Sequence, residues 1–335
     1  MIKERILGIL LKNKETFISG EEISHKLGVS RTAVWKSIGK LRDEGFEVES
    51  VPNKGYRLIK PPDLLIPAVV KNALRTRQFG QIIEYCHSID STNTRAKELA
   101  QEGAAHGTLV IAEEQLKGKG RLGRSWESPA GLGIWMSLIA RPSFPPQYAP
   151  RMTVLAGLAV KEAIHRVLGL KAEIKWPNDI ILNARKVCGI LTEMQADPDR
   201  IEYVVTGIGV NVNTPEEVFP EELRGSATSL IIETGNENPD RKIDRCRLLA
   251  EIISVFEELY DSWVEGGDFS ALMQDYKESC VTLGRQVRVT GIDETFLGTA
   301  VDLTEDCRLV VQLPDGTRKT VYSGDVSVRG IAGYV

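Results

Sequence analysis

The stretch Gly118-Lys-Gly-Arg-Leu-Gly-Arg-Ser-Trp126 decides between two classes of fold for the middle of this chain. Its glycine spacing matches the G-x-G-x-x-G motif of dinucleotide-binding units, which requires a helix directly after the glycines. The chain instead continues with Glu-Ser-Pro-Ala-Gly and then an alternating apolar segment, Leu132–Ala140. A Walker loop is excluded as well, because no Gly-Lys-Ser/Thr ends the run. The stretch is therefore predicted to be a loop in an α+β fold.

Three cations, Lys119, Arg121 and Arg124, alternate with the glycines of this loop. Glycines let a backbone approach a ligand closely, and the cations supply charge for an anion. Trp126 adds an aromatic face on which a base can stack. We interpret the stretch as a mobile loop that becomes ordered over a ligand with carboxylate and phosphate groups. A solvated basic turn is the alternative.

Two further strings carry polar groups in unusual positions. Lys175–Asp179 ends in Asn178 and Asp179, whose oxygens suit either Mg²⁺ or the capping of a turn. Lys186 leads into a strand in which Gly189 leaves room for a ligand, and its ammonium group can neutralise charge that develops on a phosphate. With no Ser-His-Asp or Cys-His arrangement in view, the predicted chemistry is electrostatic stabilisation of anions.

The first sixty residues predict a winged helix-turn-helix. Two short helices meet at Gly28-Val29-Ser30, and Pro52–Gly55 suits the turn of a small hairpin, the wing. A plain helical bundle with a basic face is the alternative. The residues expected to face DNA are Ser30, Arg31, Thr32, Trp35 and Lys36 from the helix, with Lys54 and Arg57 from the wing.

The charge distribution separates this head from the rest of the chain. The 335 residues include 42 Lys and Arg and 46 Asp and Glu, a net charge of −4. The first sixty hold 12 basic and 8 acidic residues, so the head carries +4 and the remainder −8. A head of modest positive charge predicts a dimer on a two-part operator. No apolar run approaches the ~20 residues that cross a bilayer, and five scattered cysteines fit a reducing cytosol, so a cytoplasmic location is expected.

Taken together, these strings resemble the motifs of biotin protein ligases. The resemblance covers almost the whole chain, with the motifs in the family's order. The ligase motifs are Asp90-Ser-Thr-Asn93, Gly118–Trp126, Lys175–Asp179 and Arg185–Leu191, and the segments Ser30–Arg42 and Pro52–Tyr56 resemble the winged helix of the bifunctional bacterial form, the biotin operon repressor.

The resemblance implies three domains: a winged helix-turn-helix over 1–62, a mixed α/β ligase domain with a largely antiparallel sheet over 63–279, and a small SH3-like β barrel over 280–335. It implies that biotin and ATP, with Mg²⁺, give biotinyl-5′-AMP. The biotin then passes to a lysine of the biotin carboxyl carrier protein. It further implies a homodimer that forms with bound biotinyl-AMP and represses biotin genes.

The resemblance also assigns residues. Lys186 and Arg121 are expected to be catalytic, and Asn178 and Asp179 are expected to bind the metal. The biotin site is expected to comprise Ser91, Thr92, Asn93, Gln115, Gly118, Lys119, Gly120, Arg121, Lys186 and Gly189. The adenylate site is expected to comprise Arg121, Arg124, Trp126, Lys186 and Asn211.

Three alternatives remain open from the sequence. A lipoate or octanoyl ligase shares the catalytic fold, a biotin-binding DNA sensor could lack ligase activity, and a ligase could carry a head that no longer represses. Because Arg121 and Lys186 are both present, an active ligase is favoured over a sensor.

Overall fold

A computed structural model describes residues 2–13, 16–60, 62–235, 242–291, 294–322 and 327–330. The chain divides into two compact units, Met1–Leu74 and Arg75–Val335. The first unit extends past residue 62, the domain boundary expected from the sequence. The expected limits of the three domains stay a prediction. Among the described residues, no helix is both long enough and apolar enough to span a membrane.

The first unit is a helical bundle with one hairpin. Its elements are α1 (Ile2–Lys12), α2 (Gly20–Leu27), α3 (Arg31–Asp43), β1 (Glu47–Val51), β2 (Gly55–Lys60) and α4 (Pro67–Ala73). Ser19 Oγ caps α2 by accepting a hydrogen bond from Glu22 N, and Gly28 ends this helix in the left-handed conformation. Ser30 Oγ caps α3 in the same way. Val34, Ile38 and Leu41 stand at i, i+4 and i+7 in the sequence, which predicts one inner helix face, and all three are buried in α3.

A seven-stranded sheet forms the centre of the second unit. Its strands are β3 (Ile83–Ile89), β4 (Leu109–Gln115), β5 (Gly133–Ala140), β6 (Glu173–Lys175), β7 (Asp179–Leu182), β8 (Arg185–Ala196) and β9 (Ile201–Asn211). They are ordered β3-β4-β5-β9-β8-β7-β6. Among these strands β3 and β4 pair in parallel and the other neighbours pair antiparallel. The predicted α+β class with a largely antiparallel sheet is confirmed.

Helices cover both faces of this sheet. The helices of the second unit are α5 (Thr92–Gln101), α6 (Arg151–Leu168), α7 (Leu230–Glu233), α8 (Arg245–Gly266) and α9 (Ser270–Ser279). Asn93 of α5 contacts Glu193, whereas Thr153 of α6 contacts the preceding strand residue, Thr192. Because successive strand side chains point to opposite faces, α5 and α6 lie on opposite sides of the sheet.

A second, five-stranded antiparallel sheet follows. It comprises β10 (Gln286–Thr290), β11 (Thr295–Leu303), β12 (Leu309–Gln312), β13 (Arg318–Val321) and β14 (Ser327–Gly330), in the order β13-β12-β11-β10-β14. Trp176, which precedes β7, links the two sheets because its Nε1 donates a hydrogen bond to Cys307 O at 3.0 Å. The expected small C-terminal β domain is present, and its closure into a barrel stays a prediction.

Candidate active site

A cavity of about 570 Å³ brings most of the predicted site residues together. It lies between the start of α5, the glycine-rich loop and strands β8 and β9. The predicted residues that line it are Ser91, Thr92, Asn93, Gln115, Lys119, Gly120, Arg121, Arg124, Trp126, Asn178, Asp179, Lys186, Gly189 and Asn211. Groups that are far apart in sequence therefore face one space.

The start of α5 forms a polar end of this cavity. Ser91 precedes the helix, and its buried Oγ has no hydrogen-bond partner among the described residues. The backbone N–H and the hydroxyl of Thr92 both donate to Gln115 Oε1, at 2.8 and 3.0 Å. Gln115 Nε2 donates to Ser128 Oγ at 2.8 Å. Since an amide nitrogen carries two protons, Gln115 keeps one N–H for a ligand, and Ser91 keeps its hydroxyl.

The side chain of Asn93 makes three hydrogen bonds at the same polar end of the cavity. Its Nδ2 donates to Leu191 O at 3.1 Å and to Glu193 Oε2 at 2.9 Å. Its Oδ1 accepts from Ser137 Oγ at 2.6 Å. A Cβ on Gly207 would lie 2.0 Å from Asn93 Oδ1, so a side chain at that strand position would displace the amide. The cavity thus has a fixed, hydrogen-bonded polar floor.

A flat wall of the cavity lies between this polar end and the end that holds the cations Arg121 and Lys186. Gly189 and Gly209 face each other across β8 and β9, and the Trp126 indole lies against both. A Cβ on Gly209 would lie 2.5 Å from Trp126 Nε1, and one on Gly189 would lie 3.1 Å from Trp126 Cζ3. Lys186 Nζ lies 4.9 Å from the centroid of the indole ring, in cation–π range. Only glycine fits at both strand positions without moving the tryptophan.

Two cations are held by one turn at the other end. Lys186 Nζ pairs with Asp179 Oδ1 at 2.6 Å, and Arg121 Nη1 donates to Asn178 Oδ1 at 3.2 Å. Burial lowers the pKa of Arg121, but a guanidinium group remains charged in proteins. Asn178 is itself fixed because its Nδ2 donates to Ile190 O at 2.6 Å. The turn therefore presents two oriented positive charges to an anionic ligand.

The predicted metal ligands are Asn178 and Asp179. Both side chains already contact protein cations, and no group of three or more His, Cys, Asp or Glu side chains able to hold a metal occurs in the described part of the chain. These donors do not fit a resident Mg²⁺ site. Their contact with a metal stays a prediction.

The glycine-rich loop is closed by its own backbone. Gly120 N donates to Arg124 O at 2.7 Å, and Trp126 N donates to Gly118 O at 2.9 Å. A Cβ on Gly118 would lie 2.2 Å from Trp126 O, so this glycine permits the loop to close. Gly118 is not among the residues that line the cavity, and its predicted contact with biotin stays a prediction. Lys119 Nζ reaches Thr94 Oγ1 at 2.9 Å.

One wall of the cavity is formed by residues that the sequence analysis did not predict. Phe219 and Leu223 line it from the segment 213–229, where isolated apolar residues among Pro and Glu form no recognisable motif. The segment 213–229 is hydrogen-bonded to β8. Lys186 N donates to Ser226 O and Thr228 N donates to Lys186 O, both at 2.8 Å. This pairing fixes the backbone of Lys186 on a second side.

The predicted DNA-binding face is exposed on the first unit. Trp35 is 65% exposed in the middle of α3, although it is a large apolar residue. Arg57 is engaged within the wing, because its Nη2 pairs with Glu49 Oε2 at 2.7 Å and its guanidinium lies 4.6 Å from the centre of the Phe17 ring. Its contact with phosphate stays a prediction. The other exposed residues of this face are Ser30, Arg31, Thr32, Lys36 and Lys54.

A cavity that pairs a polar floor with two oriented cations, on a chain that also carries a winged helix-turn-helix, defines an acid-activating ligase joined to a DNA-binding head. Family models agree with both halves. Residues 85–211 match the biotin/lipoate A/B protein ligase family, residues 3–57 match an HTH domain, and residues 282–329 match the biotin protein ligase C-terminal domain.

The chain belongs to the family of bifunctional biotin ligase/repressor proteins. It is 41% identical to the bifunctional ligase/repressor BirA of Bacillus subtilis (strain 168) over 327 residues, 98% of each chain. It is 30% identical to that of Escherichia coli (strain K12), over 96% of this chain and 95% of the relative. A solved biotin protein ligase from Aquifex aeolicus, in complex with biotin and ATP, matches 75% of this chain and 99% of its own with a TM-score of 0.63 and 28% identity.

Proposed function

We propose that this protein activates biotin with ATP and attaches it to a lysine of a biotin carboxyl carrier protein, and that it also represses biotin genes. The observation that carries the ligase part is the single cavity that joins the polar floor around Asn93 to the cations Arg121 and Lys186. A ureido ring fits the polar end, while a carboxylate and a phosphate fit the cationic end.

In the first half-reaction, a carboxylate oxygen of biotin attacks the α-phosphorus of ATP. The bond from that phosphorus to the oxygen bridging the β-phosphate breaks, and its electron pair leaves with pyrophosphate. Lys186 Nζ and the Arg121 guanidinium neutralise the two approaching anions, which lowers their repulsion in the transition state. Asp179 and Asn178 orient these two cations before the ligand arrives.

In the second half-reaction, the uncharged amine of the carrier lysine attacks the acyl carbon of biotinyl-5′-AMP. An amide bond forms, the acyl–oxygen bond to AMP breaks, and the amine loses a proton. Until that lysine arrives, the mixed anhydride must be kept from water. Ordering of the loop Gly118–Trp126 over the adenylate serves this purpose, with Trp126 and Asn211 against the nucleotide.

Mg²⁺ is retained in this proposal as the ion that accompanies the phosphates of ATP. Such an ion is held mainly by phosphate oxygens and water, with few protein ligands. This is consistent with the small number of oxygen donors beside Arg121 and Lys186.

A free stretch of strand edge supports a homodimer. β8 has twelve residues, but β7 pairs with it only over Arg185–Gly189. Along 191–196, no other described strand pairs with β8 on that side. An unpaired edge is a template for a second strand, and two copies of this edge can pair about a two-fold axis. A dimer would also place two heads on a two-part operator.

The ligase proposal is tested with the purified full chain. Pyrophosphate release is expected only when biotin and ATP are both present, and a carrier domain is then expected to gain the mass of a biotinyl group. A lipoyl or octanoyl mass on the carrier would replace the proposal with the alternative acyl ligase. No release under any of these conditions would leave a sensor without ligase activity.

The repressor proposal is tested by operator footprinting beside ultracentrifugation. Biotinyl-AMP is expected to convert the monomer to a dimer and to extend protection on the upstream region of biotin genes. Equal protection with and without the ligand would refute ligand-driven repression while leaving the ligase proposal intact.

A further inference from the structure

We propose that Glu193 is a positioning residue that selects the ureido ring of biotin by fixing the orientation of the Asn93 amide. The assignment rests on the proposed biotin site and adds to it a residue that does not touch the ligand. Glu193 does not line the cavity described above, and it lines an adjoining one that shares Lys119 and Arg121 with it. Its side chain lies on β8, on the face covered by α5.

Two donors from one helix hold the Glu193 carboxylate. Asn93 Nδ2 donates to Oε2 at 2.9 Å, and Lys97 Nζ pairs with Oε1 at 2.6 Å. Asn93 and Lys97 are four residues apart and therefore lie on the same face of α5. Asn93 is 4% exposed and the Glu193 side chain 30%, so their contact is partly buried.

The carboxylate decides which way the amide points. A side-chain amide can rotate by 180°, which exchanges its oxygen and its nitrogen at nearly no cost in shape. An ionised carboxylate and a backbone carbonyl accept hydrogen bonds and cannot donate them. Because Glu193 and Leu191 O both lie on one side of Asn93, the NH₂ group must face them. Asn93 Oδ1 is left on the other side, where it accepts from Ser137 and lies beside Gly207, and both Asn93 and Gly207 line the cavity.

A ligand in the cavity therefore meets Asn93 Oδ1, a hydrogen-bond acceptor whose orientation is fixed. The ureido ring of biotin carries N–H groups that can donate to Asn93 Oδ1, whereas the dithiolane ring of lipoate has no N–H. A site that hydrogen-bonds a polar group rejects an analogue without it, since Asn93 Oδ1 then keeps only its hydrogen bond from Ser137 and its second lone pair is left unpaired. Glu193 thus acts through Asn93 on the choice between biotin and lipoate, the substrates of ligases that share this fold.

The test compares Glu193→Gln with the unaltered full chain, with biotin, desthiobiotin and lipoic acid as the acids. Glutamine can turn its own NH₂ group toward Asn93, so Leu191 O alone still requires the NH₂ group of Asn93, and the flipped orientation of that amide becomes more populated. We expect KM for biotin and desthiobiotin to rise about tenfold, with kcat for pyrophosphate release and KM for ATP within about twofold. The ratio of kcat/KM for biotin to that for lipoic acid is expected to fall by a similar factor.

Two further variants separate positioning from a general structural role. Glu98→Gln removes an acid of the exposed pair with Arg95 on the same helix, and KM for biotin is expected to stay unchanged. In an Asn93→Ala background, Glu193→Gln is expected to have no further effect on KM for biotin, because the group it orients is gone.

Two results would overturn the assignment: KM for biotin within twofold of wild type in Glu193→Gln, or the full effect of Glu193→Gln persisting after Asn93→Ala. Failure of the proposed function has a different signature, namely no biotin-dependent pyrophosphate release from the unaltered chain. That result would remove the assignment together with the site on which it rests.

Discussion

Lys186 Nζ lies 2.6 Å from Asp179 Oδ1, and the two residues stand on neighbouring antiparallel strands. Their side chains are only 23% and 15% exposed, so the pair is largely removed from solvent screening. The residue before Asp179, Asn178, accepts a hydrogen bond from Arg121. One turn thus orients both cations that are proposed to meet the reacting anions.

Replacement of Lys186 tests its electrostatic role. Lys186→Gln is expected to lower kcat for biotin-dependent pyrophosphate release by about 10²–10³, because a fixed charge at the transition state is lost. Lys171→Gln removes an exposed lysine outside the cavity lining and serves as the matched control, with an expected change below twofold. Retention of more than half of the wild-type kcat in Lys186→Gln would contradict the proposed mechanism.

Replacement of Asp179 distinguishes orientation of Lys186 from metal binding. Asp179→Asn removes the counterion of Lys186, and we expect kcat for adenylate formation to fall about tenfold or more. The Mg²⁺ concentration that gives half the maximal rate is expected to stay within about twofold of wild type. A large increase in that concentration would instead establish Asp179 as the metal ligand that the sequence predicted.

Arg121 is proposed to hold the adenylate as well as to assist its formation. Arg121→Ala is expected to leave the far-ultraviolet circular dichroism spectrum unchanged. The variant is expected to release biotinyl-5′-AMP about ten to a hundred times faster, because a buried charge-assisted contact is lost. Release is measured by chasing bound, labelled adenylate with unlabelled adenylate, and an unaltered rate would exclude this role.

The sequence predicted elements with strong local signals and missed relations that depend on tertiary pairing. The sequence predicts a helix over Thr92–Gln101, and α5 has these bounds. Ser19 stands three residues before Glu22 and Ser30 precedes a helical pattern, so both are predicted to be N-caps, and both form. Lys186 and Asp179 were both singled out, but their contact depends on the register of β7 against β8. No local pattern specifies that register.

Ser137 shows the same limit at the polar floor. It is a single small residue inside the apolar segment Leu132–Ala140, and nothing next to it marks a function. Its hydroxyl lies 2.6 Å from Asn93 Oδ1 and 2.8 Å from Thr92 Oγ1 only because α5 packs on that face of the sheet. Glu193 was missed for the same reason, since its partners come from a helix about a hundred residues earlier.

The pair of Glu193 and Lys97 predicts a pH dependence of stability. Burial raises the pKa of Glu193, but hydrogen bonds from Lys97 and Asn93 outweigh this, and the net pKa lies below its ordinary 4.5. A lowered pKa in the folded state means that the stabilisation is present above the unfolded value and is lost as pH falls through the folded value. Lys97 and Lys119 are the cations near this carboxylate.

We therefore expect the melting temperature of Glu193→Gln to lie below that of wild type at about pH 7, and the difference to shrink below about pH 4. Scanning calorimetry of both proteins at several pH values measures it. A difference that grows as the solution becomes acidic would reverse the assigned direction of the pKa shift.

Trp35 is expected to contact thymine methyl groups in the operator. It is 65% exposed on α3 and lies outside the buried face formed by Val34, Ile38 and Leu41, so its ring is free of the domain core. Apolar side chains in the major groove recognise the C5-methyl group of thymine, and one mismatched contact costs about 1–3 kcal/mol. Trp35→Ala is therefore expected to weaken operator binding about tenfold with little change in melting temperature.

Deoxyuridine, which lacks only that methyl group, supplies the complementary change on the DNA. Substituting it for single thymines in the operator is expected to weaken wild-type binding at one or two positions. At those positions it should have no effect on Trp35→Ala, because partners in one contact are not additive. Binding is compared at fixed salt, since phosphate contacts alone change affinity with ionic strength. Additive losses at every position would show that Trp35 acts on affinity without reading a methyl group.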